Sequence, residues 1–466
     1  MSGLDGLTRE ELIALVLKLH ETVVSQQAEI AELRATVQVQ AERISQLEEE
    51  VSKLSGPKAK PGWVKPNAKG TKKTPRKGRL QSFARHNLLA TGVQYHAVGK
   101  CPDCGMKLTG GSVKWKHQVV DTPVIRVEVT DHLFVERRCG ACGKRWTPDA
   151  GSVLGEVVVG KRSIGIGLMS LIAYLKTSCR MPIRPIRKLL CSLFGVDISS
   201  GEIAELLHAV AKIGQGEYEV LLEKVRGSPV LHGDETGWRE NGKNGYLWSF
   251  STPQVRYFTY NHSRGGAVVK EALGDEFAGA LVSDFYGGYN IYDGVKQRCW
   301  VHYIRDLKAL REKHVDNRSV VFWVEGVLAV YWRARDCAKM DLSDIDRCRF
   351  RQSFEAKLQR LADPYLKLKN APQRVLAQRI DRFLGELFTF VQCPEVPSEN
   401  NAAERAIRPA VIARKVSGGT RSPKGSKTSS VLRSLFETWT LQERNGLAAC
   451  REMIINANRS SALATG

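Results

Sequence analysis

Two apolar runs in this 466-residue chain each close on an aspartate. Pro229-Val-Leu-His-Gly-Asp234 and Gly279-Ala-Leu-Val-Ser-Asp284 both read as buried strands that end in a carboxylate, 50 residues apart. Either aspartate alone would be an ordinary turn or cap residue. Two of them at the ends of neighbouring strands would repel one another unless a cation lay between them. Magnesium takes one or two carboxylates together with phosphate oxygens, and a pair of such ions serves the attacking and leaving oxygens of phosphoryl transfer. A third carboxylate, from a helix, would complete such a site. His232 precedes Asp234 by two and shares its strand face, as a neighbour of the site or as core.

A second constellation is made of sulfur. Cys101-Pro-Asp-Cys104 and Cys139-Gly-Ala-Cys142 are each followed by glycine, Gly105 and Gly143. Each pair forms a knuckle that aims two thiolates at one point, and two knuckles make a tetrahedral four-thiolate site for one structural zinc ion. A redox pair would need no second copy. Four sulfur ligands leave no open position, so this ion should not be catalytic. The stretch Val119 to Val135 alternates enough to supply strands for the two hairpins. The remaining seven cysteines are scattered, which points to a reducing cytosol.

The elements that must position the carboxylates follow from the same reading. After the run ending at Asp234, Tyr246 to Phe250 and Val255 to Tyr260 are β-rich, Gly266 to Leu273 reads as a short helix, and the run ending at Asp284 is a fourth strand. Strand, strand, strand, helix, strand is the order of the ribonuclease H-like fold, in which the first and fourth strands are neighbours. That adjacency would bring Asp234 and Asp284 together. From about Cys299 onward helices dominate, with Val320 to Ala338 and Arg347 to Leu361 the clearest.

Upstream, Val16, Val23, Ile30, Val37, Ile44 and Val51 recur every seven residues, with Leu19, Leu33, Leu47 and Leu54 at the offset seam position. β-branched residues at one seam and leucine at the other favour a parallel two-stranded coiled coil, hence a homodimer through residues 16–54; the alternative is one amphipathic helix packed on its own chain. Between Ser55 and about Asn87 there are ten lysines and arginines and no acid, interrupted by four prolines that forbid a continuous helix. Lys72, Lys73, Arg76, Lys77 and Arg79 in this tether could lie along DNA phosphates, or could serve solubility alone. Ile183 to Phe194 and Ser199 to Ile213 suit a helix-turn-helix, with Gly195 ending the first helix and Ser199 or Ser200 capping the second. Glu202 and Glu205 on the second helix oppose phosphate, so a plain helical hairpin is an equal reading. A formal charge of +21 fits a polyanionic partner. The helical, acidic start is no secretory signal, and the longest apolar run, Ile164 to Leu175, falls short of the roughly 20 residues that span a bilayer.

Longer motifs carry a specific resemblance. His232-Gly-Asp234-Glu235-Thr236-Gly-Trp238, Ser283-Asp284-Phe-Tyr286-Gly-Gly-Tyr289, Cys299-Trp-Val-His302 with Arg305, and Glu399-Asn400-Asn401-Ala-Ala-Glu404-Arg405-Ala-Ile-Arg408-Pro409 resemble, in order, the motifs of the insertion sequence 66 family of transposases. The cysteine knuckles and the heptads also match that family, so the resemblance covers nearly the whole chain. It implies a catalytic trio of Asp234, Asp284 and Glu404 that holds two Mg2+ (or Mn2+) ions. His232, Cys299, His302, Arg405 and Arg408 would lie near the active site, and Arg414 and Lys415 would bind DNA. Glu399 is the rival for the third role, since Asn401 could cap a helix and leave Glu404 as a local capping glutamate. At Glu399 the family more often has Asp, which fits a local structural role. Cys299 and His302 alone do not make a zinc site and are expected to pack and hydrogen-bond.

The expected architecture is therefore multidomain: a coiled coil (1–54), a basic linker (55–90), a zinc ribbon (91–150), a helix-turn-helix-like helical region (155–220), an α/β ribonuclease H-like catalytic domain (225–440) with an all-helical insertion at about 300–395, and a C-terminal helix and tail (441–466). The activity implied is metal-dependent cleavage and strand transfer on double-stranded DNA, at the element's ends and at its target, by a cytoplasmic, nucleoid-associated protein with no membrane partner. Small accessory proteins are possible helpers. A DNA-binding regulator with an inactive core, or a nuclease without joining activity, are the other readings.

Overall fold

The structure, a computed structural model, describes residues 88–121, 127–160 and 162–464, with a few isolated positions between 8 and 42. The expected basic linker, with Lys72, Lys73, Arg76, Lys77 and Arg79, lies outside the described residues, as do most of the heptad positions. The described positions from Glu10 to Glu42 are helical. Contacts divide the chain into two units, Met1–Val120 and Asp121–Gly466.

In the second unit, five strands form one sheet: β1 (Val230–Glu240), β2 (Lys243–Ser251), β3 (Arg256–Asn261), β4 (Ala280–Ser283) and β5 (Lys296–Arg298). Their order across the sheet is β3-β2-β1-β4-β5. The β1–β2 hairpin turns at Asn241-Gly242, both at positive φ, which is the conformation a two-residue hairpin loop demands and one that Asn and Gly tolerate. β4 runs parallel to β1, with Val230 opposite Ala280, Leu231 opposite Leu281 and His232 opposite Val282. Asp234 and Asp284 each stand two residues past that last pair, so the register sets them at the same level. β5 pairs parallel with β4 and was not expected from sequence. It is only three residues long, Lys296-Gln-Arg298, too short and too polar for a strand pattern to register.

Alternation along the strands splits their apolar residues between the two faces. Trp248, Phe250 and Tyr257 join a large core with helices α1 (Ile166–Thr177), α2 (Ile183–Phe194), α3 (Ser200–Ile213) and α4 (Gln215–Arg226), together with residues from 423–441 and 446–464. Leu247, Phe258 and Trp238 pack instead on Ile407, Ala410 and Ala413, which belong to a helix at Asn401–Ser417. The crossover from β3 to β4 carries α5 (Ala267–Leu273). Beyond β5 the helices α6 (Trp300–Lys313), α7 (Arg318–Cys337), α8 (Asp344–Leu366), α9 (Arg374–Phe383) and α10 (Thr389–Gln392) build a second core around Trp300, Tyr303, Tyr331, Phe354 and Phe388. The chain then returns to the sheet as α11 (Asn401–Ser417), followed by α12 (Pro423–Leu441) and α13 (Gly446–Ala464).

The helix pair forms as its sequence demands. Gly195 ends α2 in the left-handed region at φ 66°, and the Ser199 side chain accepts the Glu202 N–H to cap α3. One side of α3, with Ile203, Leu206 and Val210, is spent in the core, while Glu205 pairs with Lys424 at the surface.

Two sequence expectations are corrected. Among the described residues of 119–135 no strand is formed; the antiparallel pairing is confined to the knuckles themselves, Lys100 opposite Lys107 at the first and Arg137–Arg138 with Arg145–Trp146 at the second. Val129, Leu133 and Val135 are exposed there, so the alternation faces no second layer that would reward pairing. Nor does Asn401 cap α11: the capping residue is Asn400, and its side chain makes no capping bond.

Candidate active site and metal centres

Asp234 lies on β1 just past the segment paired with β4, and its carboxylate accepts the N–H of Glu235 at 2.9 Å. Burial drives its pKa up to about 7, and the negative charges of Glu235, Asp284 and Glu404 push in the same direction. Asp284 follows the end of β4, where its Oδ1 accepts the Tyr286 N–H at 2.9 Å in a local turn. Glu404 stands in the first turn of α11. The charges of Asp284 and Glu404 thus both reach Asp234, from the end of β4 and the start of α11; Asp234 itself lies inside β1, which continues to Glu240 rather than ending at the aspartate as the sequence suggested. The charge of Glu399 acts on His232 instead.

The fourth carboxylate of the region is treated differently. Glu235 Oε1 accepts from Arg264 at 2.7 and 3.0 Å, and Oε2 accepts the Tyr289 hydroxyl at 2.6 Å. Burial raises its pKa, but these two partners oppose the shift. Tyr289 is fully buried and its ring lies over Gly233, where an added Cβ would come within 2.8 Å of it. Glycine in the His-Gly-Asp motif is therefore a steric requirement of this ring.

Asn400, itself 1% exposed, ties the motifs together. Its amide nitrogen donates to the Gly233 carbonyl at 2.7 Å, so its Oδ1 must be the acceptor facing His232 Nδ1 at 2.9 Å. That assigns the His232 proton to Nδ1. Burial holds the His232 pKa below its usual value, which keeps the ring neutral. The backbone N–H of Asn400 donates to Cys299 Sγ at 3.1 Å. Cys299 begins α6, is wholly buried, and has a thiol pKa raised by that burial. One turn on, His302 faces Glu404, with Nε2 and Oε1 3.6 Å apart. That is too long for a hydrogen bond, and among the described residues neither Glu404 Oε1 nor His302 Nδ1, both buried atoms, has a hydrogen-bond partner. Ligand atoms of Cys299, His302 and Glu404 all lie within 4.8 Å of one another.

The two cysteine pairs adopt the same local form, one in each unit. Gly105 and Gly143 sit at φ 74° and 71°, and each donates its N–H back to the first cysteine carbonyl, Cys101 at 2.8 Å and Cys139 at 2.9 Å. In each knuckle the backbone N–H groups of the next residues point at the first sulfur: Cys104 and Asp103 for Cys101, Cys142 and Ala141 for Cys139. Both thiol pKa values fall as a result, which favours the thiolate that a metal ion binds.

A family model described as "Transposase IS66 family" matches residues 161–428, more than half of the chain and all three carboxylate motifs. The chain belongs to the IS66 family of transposases. A curated relative, the uncharacterised protein y4jO of Sinorhizobium fredii (strain NBRC 101917 / NGR234), is 29% identical over 166 residues, 36% of this chain; the match spans about half, 48%, of that relative. No helix among the described residues is long and apolar enough to cross a membrane.

In this family member the remaining motif residues have distinct places. Arg405 and Arg408 are exposed on α11, and Lys415 is exposed near its end. Arg414 is half-buried and donates to Thr236 Oγ1 at 3.1 Å and to the Gly237 carbonyl, so part of its donor set is spent on β1. Together with Arg239, Tyr246 and Trp238, Arg414 and Lys415 line a cleft of about 430 Å³ on the transposase surface. The residue that sequence reasoning missed is Arg298 on β5. It is fully buried and donates to Asp284 O at 2.8 Å, Ser283 Oγ at 3.2 Å, Asn290 Oδ1 at 2.6 Å and Glu386 Oε2 at 2.5 Å. It holds the backbone that presents Asp284. Its position inside a short polar strand gave no signal, and the roles of Asn400 and Tyr289 were likewise hidden inside motifs already quoted.

Proposed function

We propose that this transposase cleaves and joins DNA at the ends of its insertion sequence by metal-dependent phosphoryl transfer, with Asp234, Asp284 and Glu404 as the catalytic carboxylates. The observation that carries the proposal is the setting of Asp234, whose pKa is lifted to about 7 first by burial and then by the charges of Glu235, Asp284 and Glu404 around it. Among the described residues no basic side chain makes an ion pair with Asp234 or Asp284, while neighbouring Glu235 is matched by Arg264. A charged cluster left without protein cations is the donor set that hard divalent ions fit. The sheet order and the helix crossover fit a ribonuclease H-like core, and the separate packing of α6–α10 fits a helical insertion within it.

Asp234, Asp284 and Glu404 would hold two Mg2+ or Mn2+ ions, which when bound supply charge for the attacking and leaving oxygens. The protein's own share is positioning. Arg298 fixes the carbonyl of Asp284, Asn400 locks β1 to the start of α11, and Arg264 with Tyr289 keeps Glu235 out of the cluster. Phosphates of the DNA would meet Lys415 and Arg239 at their cleft and the exposed Arg405 and Arg408 nearer the start of α11, an electrostatic contact without base specificity. The four knuckle cysteines would bind one structural zinc ion, with the preference for thiolate at Cys101 and Cys139 as support. A dimer through residues 16–54, carrying the basic linker 55–90, would bring two element ends together. Of the helix pair, α3 gives one side to the core, and sequence reading falls either to its exposed side or to the ribbon.

The test is incubation of the purified protein with the element's own end DNA in Mg2+ or Mn2+. Cleavage and joining are expected, and both should vanish in Asp234→Ala and Asp284→Ala while DNA binding persists. Cleavage that survives either substitution would overturn the assignment.

A further inference from the structure

Glu404 faces two ways. Its charge acts on Asp234, yet its Oε1 is a buried atom turned toward His302 with no hydrogen-bond partner among the described residues. We propose that Cys299, His302 and Oε1 of Glu404 form a site for one divalent ion of the zinc class, additional to the knuckle site and sharing only Glu404 with the catalytic cluster.

The geometry supports it at each step. Cys299 opens α6 and His302 follows at i+3, so both side chains stand over the same first turn of the helix. Glu404 enters from the first turn of α11, held there because Asn400, just ahead of α11, is anchored to Cys299, His232 and Gly233. A tetrahedral ion with bonds of about 2.0–2.1 Å to nitrogen and oxygen sets those two donors about 3.3 Å apart. His302 Nε2 and Glu404 Oε1 are 3.6 Å apart, and all three ligand atoms fall within 4.8 Å. Small side-chain rotations therefore close the site. Thiolate, imidazole and carboxylate together select a borderline-soft ion over magnesium, which wants oxygen throughout. Burial raises the Cys299 thiol pKa, so the thiolate forms only as the ion binds and the proton leaves to solvent; backbone N–H groups of Asn400, His302 and Val301 point at the sulfur and partly oppose that rise. Three protein ligands leave one position for water. Held in this way, Glu404 would keep its other oxygen free for the catalytic cluster. The inference leans on the proposed function only in that last clause, because the ion itself needs no catalysis.

The experiment counts metal in the full chain. Zinc per chain is measured by mass spectrometry for the wild type, His302→Ala, Glu404→Gln, Asp234→Asn and the knuckle variant Cys101→Ser/Cys139→Ser. Circular dichroism and urea midpoints confirm folding. His302→Ala and Glu404→Gln should each hold one equivalent less than wild type, and Asp234→Asn should hold the same as wild type. The knuckle variant should retain one equivalent and, loaded with Co2+, show a thiolate-to-cobalt absorption band that disappears when His302→Ala is added. Folded His302→Ala with the zinc content of wild type would overturn the inference. That result leaves the catalytic reading intact if Asp234→Asn still abolishes strand transfer. Conversely, strand transfer by Asp234→Asn would overturn the catalytic reading and leave the ion standing.

Discussion

Replacing Asp234 by Asn should make the magnesium-free protein more stable while ending its chemistry. The folded pKa of Asp234 is raised from 3.8 to about 7 by burial and by the charges of Glu235, Asp284 and Glu404. In the unfolded chain the group ionises near pH 4. Between these values the unfolded state has lost the proton and the folded state retains it, so the folded state binds more protons and stability falls as pH rises. The fall begins near pH 4 and is complete just above pH 7. At 1.36 kcal/mol per pKa unit, a shift of about three units amounts to roughly 4 kcal/mol, an upper figure because surrounding groups relax. Asn copies the neutral carboxyl and carries no such penalty. Urea titrations without magnesium should find the variant near wild type at pH 4 and more stable by up to about 4 kcal/mol at pH 8. Added Mg2+ should close the gap at pH 8 by stabilising wild type alone, since a ligand that binds only the folded state raises its stability. Tyr289 and Arg264 face Glu235 rather than Asp234 and should not blunt the effect. An equal difference at both pH values, or a wild type that outlasts the variant at pH 8, would refute the reasoning.

Glu404→Gln should abolish strand transfer and Glu399→Gln should leave most of it, as measured by joining of end DNA; the reverse result would move the third role to Glu399. Asn400→Ala strips the buried His232 Nδ1 and the Gly233 carbonyl of their partner, so the denaturation free energy should drop by about 2–3 kcal/mol; an unchanged value would show that the tie between β1 and α11 carries no energy. Cys101→Ser should release the structural zinc and loosen the ribbon without touching the catalytic cluster, which protease sensitivity and zinc analysis would report. Deleting residues 1–54 should weaken complexes holding two DNA ends more than binding to one end, by gel shift; equal pairing by the truncated protein would make the heptads an intramolecular helix or a docking site for a helper.

What the sequence made legible was local. Strand runs of period two and apolar runs ending in aspartate located β1 to β4, since burial on both faces of a central strand writes itself into four or five consecutive residues. The turn at Gly195 and the cap at Ser199 were equally visible, because left-handed backbone and an unsatisfied helix start each favour a short list of residues. The knuckle glycines belong to the same class. Hidden from the sequence were the ties made across long separations. Arg298 looks like a surface cation and is fully buried; its burial is tolerable only because four acceptor contacts converge on it, from Ser283, Asp284, Asn290 and Glu386, with the face of Phe383 alongside. Asn400 went unnoticed for the same reason. Its neighbour Asn401 offered a familiar capping pattern, whereas the real partners of Asn400 lie 167 and 168 residues away.

The treatment of the carboxylates separates a cation site from a structural ion pair. Structural networks perturb pKa values too, so a raised aspartate is by itself weak evidence of function. Here, however, two adjacent acids on one strand meet opposite fates. Glu235 is given an arginine and a tyrosine hydroxyl, both within 3 Å. Asp234 receives one backbone N–H and three negative neighbours. A chain selected for stability alone would distribute its cations the other way, since Arg264 reaches this region and Asp234 carries the larger penalty. Neutralising Glu235 from within, while leaving Asp234 and Asp284 without an ion-pairing side chain among the described residues, is what a site needs if its positive charge must come from solution and depart with the reaction's needs. The stability that the magnesium-free protein gives up above pH 4 is the measurable trace of that arrangement.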